Sequence, residues 1–129
     1  MASILKVDAL QGVTAAGDIT ITSEGGAATQ SLQQGLAKAF CEATDAAVLR
    51  GSSNIASGTD VGTGHYNFAF TNNMSNANFS CPCSASQNTS VIVNNAARST
   101  SYYEIEGFNR GTGSQNDKST CSAVFGDLA

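Results

Sequence analysis

From Cys41 to the C-terminus the chain is built of short apolar runs broken by Gly, Asn and Ser clusters roughly every ten residues, the spacing of an all-β sandwich or barrel. The clearest run is His65–Phe70, in which Tyr66, Phe68 and Phe70 share one face while His65, Asn67 and Ala69 share the other. Further strands are predicted over residues 46–49, 79–83, 90–94, 101–108 and 120–125. In the fourth of these, Tyr103 and Ile105 alternate with Tyr102, Glu104 and Glu106. Gly62-Thr63-Gly64 and Gly111-Thr112-Gly113 lie between such runs and read as turns.

The period changes upstream. Residues 1–26 read as an extended arm with strand-like pieces at Leu5, Val7, Ile19 and Ile21 and no core of their own. Ser23-Glu24-Gly25-Gly26 is a turn signal. Over residues 31–40, Leu32, Leu36, Ala39 and Phe40 recur at helical spacing, and Ser31 with Gln34 forms a capping box. One short helix is predicted there. Gly35 in its middle is costly unless another backbone comes close, so Leu32, Gly35, Leu36 and Phe40 are read as an oligomer interface, with packing onto the chain's own sheet as the rival.

The expected fold is therefore mainly β. An anchoring arm spans 1–26, a helix or collar 27–45, and an antiparallel β-sandwich, jelly-roll-like, 46–129. With 129 residues there is room for one core, and with 7% aromatic residues and no Trp that core is thin for a single copy. A homo-oligomer, a trimer, is expected to complete it.

Composition also bears on partners. The net charge of −4 and pI near 4.6 lack the cationic surface that nucleic acid requires, so no nucleic-acid partner is expected. No apolar run is long enough to span a membrane, and the first residues lack the blocks of a signal peptide, so folding in a cytoplasm without membrane insertion is expected. The glycosylation-type triplets at Asn73, Asn78 and Asn88 then carry no weight.

Chemistry is sparse. His65 is the single histidine, placed on an outward strand face and read as solvated. Glu104 and Glu106 share a strand face, which reads as a solubility device rather than a catalytic pair. Asp60 and Asp117 with Asn and Thr carbonyls are conceivable calcium ligands, but no twelve-residue calcium loop is visible, and no metal or cofactor is predicted. Cys41, Cys81, Cys83 and Cys121 allow two disulfides by number, but cytoplasmic folding opposes them. Cys81-Pro82-Cys83 has one intervening residue where structural zinc sites use two to four, so reduced, buried thiols are expected.

Several segments carry a resemblance. Ala16-Gly17-Asp18-Ile19-Thr20, Ser31-Leu32-Gln33-Gln34-Gly35-Leu36-Ala37-Lys38-Ala39, Asp60-Val61-Gly62-Thr63-Gly64-His65-Tyr66-Asn67-Phe68, residues 70–79 and the closing Val124-Phe125-Gly126-Asp127-Leu128 resemble short virion structural proteins of tailed bacteriophages, especially aquatic ones, labelled tail-fibre or head-decoration proteins. Phe40 stands where Trp is usual in the group, and Cys81 and Cys83 replace aliphatic residues. The resemblance implies a non-enzymatic protein of the virus particle, held by its N-terminus to tail or capsid proteins with a β-rich part facing outward. Two other roles stay open: a capsid decoration protein that cements the shell, and a host-attachment module binding surface glycans through Tyr102 and Tyr103.

Overall fold

In the computed structural model, residues 4–13, 19–22, 26 and 28–129 are described, and the chain divides into two compact units, 1–36 and 37–129. The division falls between Leu36 and Ala37, ahead of a strand that belongs to the sandwich.

In the first unit, β1 (Thr20–Thr22) and β2 (Thr29–Ser31) pair antiparallel as a two-stranded ribbon. The helix α1 covers only Leu32–Gly35. Ser31 caps it as the sequence suggested, its hydroxyl accepting from the Gln34 N–H at 3.4 Å. The predicted continuation to Phe40 does not form: Leu36 is already extended, and Phe40 lies in a strand. Gly35 is thus at the end of the helix, not in its middle, and its nearest neighbour is the Gln30 side chain rather than another backbone.

The second unit is a sandwich of two four-stranded antiparallel sheets. Here β3 (Ala39–Ala43), β4 (Leu49–Ser53), β7 (Cys83–Ala85) and β10 (Thr120–Val124) form sheet I in the order β4-β3-β10-β7. The other four, β5 (Ile55–Gly62), β6 (His65–Phe70), β8 (Thr89–Val93) and β9 (Tyr102–Asn109), form sheet II in the order β5-β6-β9-β8. The β3–β4, β5–β6 and β8–β9 pairings join neighbours in sequence. That departs from the jelly-roll order, two Greek keys in which most adjacent strands are distant in sequence; the architecture is a sandwich with sequential hairpins on both sheets.

The inner faces divide the work by size. Sheet II contributes Tyr66, Phe68, Phe70, Tyr103 and Ile105, while β3 and β10 of sheet I contribute Ala39, Cys41, Ala43, Thr120, Ser122 and Val124. Large residues on one sheet fill the depth left by small residues on the other, which is how a close-packed interior is reached with few aromatics. Phe79, from the segment joining β6 to β7, completes an aromatic group with Phe70 and Tyr103, with ring centroids 5.5–6.5 Å apart. Arg98 covers that end: its guanidinium donates to the Phe79 carbonyl and lies 5.3 Å from the Phe79 ring centroid. Residues 37–129 therefore close a continuous core from their own chain, where a thin one had been expected.

Turn chemistry holds the register. Gly64 sits at φ +67° in the two-residue β5–β6 turn, with the Gly107 carbonyl and the Asn116 backbone so close that a Cβ would stand 2.6–2.7 Å from them. Asp117 binds the same turn by accepting from the Gly64 N–H at 2.5 Å, and the Tyr66 hydroxyl accepts from the Lys118 N–H at 2.9 Å. No described helix is long and apolar enough to cross a membrane.

Candidate functional site

The residues nominated from sequence separate into three places. Leu5, Val7, Ile19, Ile21, Leu32, Gly35 and Leu36 fall in the first unit, Phe40 on the outer face of sheet I, and Tyr102 with Tyr103 on opposite faces of β9. Leu32, Gly35, Leu36 and Phe40 therefore do not form one helical stripe.

The first unit has no buried residue among those described. Ile4, Leu5, Val7, Leu10 and Val13 are each more than half exposed, as are Ile21 and Leu36, and Ile19 is half-buried. Its ordered pieces follow from local rules: the Leu32 N–H donates to the Ile19 carbonyl at 2.8 Å, tying the helix start to the strand entry. A two-stranded ribbon of this size is marginal in water by itself.

Tyr103 is fully buried, which removes it as a glycan contact. Its hydroxyl lies 2.6 Å from Ser122 Oγ and 3.4 Å from Cys41 Sγ, and these two are 3.3 Å apart, so three polar groups close on each other between the sheets. Burial pushes the Tyr103 hydroxyl far up, and pushes Cys41 up against the opposing pull of its hydrogen bonds to Ser122 and Tyr103. Strand alternation had already placed Tyr103 opposite Tyr102; only Tyr102, half-buried, reaches the outer face.

That outer face of sheet II carries the densest polar arrangement. His65 Nε2 lies 2.9 Å from Glu104 Oε2, the Asn67 amide donates to Glu104 Oε1 at 3.2 Å, and the Asn94 amide donates to Glu106 Oε1 at 2.9 Å. His65 was expected to be solvated, yet its side chain is 27% exposed and that of Glu104 only 15%. The reason is its place on a central strand: β5 and β9 flank β6, and the cross-strand pair Asn67↔Glu104 with neighbouring His65 brings the donors onto one carboxylate. Chemically this is a ladder of satisfied polar side chains that fixes the register of β6, β8 and β9. It gives the two glutamates separate partners and does not converge them on a common point.

The cysteines are free thiols. Cys41 and Cys81 are buried, Cys83 is half-buried, and Cys121 is exposed on the outside of sheet I, so burial holds for the first two but not for the last. Burial pushes the Cys81 thiol up to about 12 and also raises Cys83, which keeps both protonated at neutral pH. Outside β10, Pro82, Cys83, Ser84, Cys121, Ser122 and Ala123 line an open groove of about 360 Å³. Among the described residues no group of three or more His, Cys, Asp or Glu side chains is arranged to hold a metal ion. Asp60 and Asp117 instead serve turns: Asp60 accepts from the Gly62 N–H and Asp117 from the Gly64 N–H and the Tyr66 hydroxyl.

Comparison with protein-family models, with curated proteins and with solved structures finds no match for this chain.

Proposed function

We propose that this protein is a non-enzymatic structural subunit of a tailed-bacteriophage particle, a homotrimeric appendage whose N-terminal unit serves assembly and whose sandwich faces outward. The observation that carries the proposal is the division of labour between the two units. Residues 37–129 enclose their own core, whereas the described residues of 1–36 leave Ile4, Leu5, Val7, Leu10, Val13 and Ile21 in solvent. Apolar side chains so placed are a cost to a free chain and an asset to an assembly, because burying each one contributes about 1.5–3 kcal/mol. The segments that resemble short virion proteins support the same reading from the sequence.

Attachment to the capsid as a decoration protein has the same physical requirements as attachment to the tail, and host glycan contact, if present, falls to Tyr102 alone. The test is immunogold labelling of purified particles of the phage that encodes the chain, with antibody raised against residues 37–129. Label at the tail is the expected result, label spread over the shell favours decoration, and absence of the chain from the particle refutes the proposal. The location is thus the virion surface, following folding in the host cytoplasm.

A further inference from the structure

Each sheet of the sandwich ends in two edge strands, and three of these four are guarded against pairing with another chain. The strand β7 has only three residues, β4 carries Arg50 and meets β3 through a shifted register, and β5 carries Asp60 and two register shifts against β6. None of these devices protects β8. Its sequence, Thr-Ser-Val-Ile-Val, holds no charge and no proline, its register with β9 runs unbroken from Thr89 to Val93, and Ile92 is 50% exposed on its outer side. The Arg110 N–H donates to the Asn88 carbonyl and the Asn94 N–H to the Glu104 carbonyl, so the even-numbered residues of this stretch face β9. The backbone N–H and C=O of Thr89, Val91 and Val93 therefore point to the open edge.

We propose that β8 pairs antiparallel with β8 of a second copy about a twofold axis through Val91, joining sheet II of the two copies into one continuous sheet. In that register Val91 lies opposite Val91 and Thr89 opposite Val93, so every outward-facing residue meets another outward-facing residue and no edge group is left over. Charge selects the same partner. Arg110 Nε donates to Ser90 Oγ at 3.2 Å, which lays the guanidinium along the edge strand, and Glu106 stands level with Ile92 on β9. Ser90 of one copy falls opposite Ile92 of the other, and adjacent strands are about 4.8 Å apart. Arg110 is thereby brought within side-chain reach of Glu106 of the second copy, and the axis makes the pair twice. A chain of net charge −4 repels its copies over much of its surface, whereas this edge offers a neutral strand flanked by one cation and one anion placed to exchange partners. A twofold contact is additional to the threefold assembly of the proposed function and does not rest on it.

The experiment uses the full chain. Sedimentation of the wild type over a range of concentrations is expected to show a species that doubles in mass, in multiples of the 13.1 kDa chain, with amide exchange at Val91 and Val93 slowing as it forms. Val91→Pro removes an edge N–H without touching the ladder to β9, and Ser90→Lys sets a charge on the edge; each is expected to weaken the doubling by about tenfold or more with the melting of the sandwich retained. Arg110→Glu is expected to weaken it likewise, and Arg110→Glu with Glu106→Arg to restore it, a rescue that a strand of foreign sequence on this edge would not give. A wild type whose mass and edge-amide exchange are the same at every concentration, doubling that survives either Val91→Pro or Ser90→Lys, or a double charge swap that recovers nothing of what the single swap lost overturns the inference. Loss of doubling in Phe40→Asp alone places the contact on sheet I and also overturns it. Absence of the protein from phage particles would defeat the proposed function while leaving these outcomes unaffected.

Discussion

The buried hydroxyl of Tyr103 offers the sharpest check on how the two sheets are joined. Tyr103→Phe removes one oxygen and leaves the ring in place, so it deletes the 2.6 Å bond to Ser122 and the 3.4 Å contact with Cys41 without opening a large cavity. A buried hydrogen bond of this kind contributes about 1 kcal/mol net, and stranding its partner can add to that. Ser122 keeps Cys41 at 3.3 Å, which limits the second part. The expected loss is about 1–2 kcal/mol, which lowers the melting temperature by roughly 4–16 °C in a domain of this size. Ser122→Ala should cost a similar amount, and the double variant less than the sum, because removing both partners leaves no stranded group. Chemical denaturation of the four proteins measures the coupling. Strictly additive losses, or a Tyr103→Phe protein as stable as the wild type, would refute the role given to this trio.

Other expectations concern turns, thiols, pH and the unit boundary. Gly64→Ala should destabilise by well over 1 kcal/mol, since the new Cβ meets both positive φ and the Gly107 carbonyl; an unchanged urea midpoint would contradict the turn geometry. Ellman titration of the native protein should register Cys121 rapidly and Cys41 and Cys81 only on unfolding, and prompt reaction of all four thiols would show an open core. Burial lifts Tyr66 from 10.0 to about 12 and Cys81 from 9.0 to about 12 in the folded state. Because these folded values lie above the unfolded ones, their stabilising contribution is complete below about pH 9 and is lost as pH rises toward 12. Thermal melts should therefore fall steadily over that alkaline window, and a flat profile there would count against burial of both groups. Residues 37–129 expressed alone should melt cooperatively, as a unit holding its own core requires.

How much of this was legible beforehand depended on whether a signal was local. His65–Phe70 was readable in full because alternation of large aromatics with polar residues has one structural solution, and Tyr102–Asn109 nearly so. Ala39–Ala43 was not: Leu32, Leu36, Ala39 and Phe40 fit a helical stripe as well as Ala39, Cys41 and Ala43 fit a strand face, and the small side chains carry little preference. Ile55–Gly62 escaped notice for a related reason, since Gly58 and Asp60 weaken its strand signal; Gly58 is needed because the Ala47 carbonyl and the Phe68 ring press on it. The polar ladder of the outer face was half visible, Glu104 and Glu106 being assigned to one face, but its partners come from other strands.

The sequence by itself settled the β character, the turns and which side chains of a strand share a face, since these depend on backbone sterics and a period of two. It did not decide which faces meet. That choice required the long-range register that sets small residues of β3 and β10 against the aromatics of β6 and β9, and which thereby buries Tyr103, shelters His65 and leaves Phe40 in solvent. Burial is a property of what lies opposite, and what lies opposite is fixed only when the sheets pack.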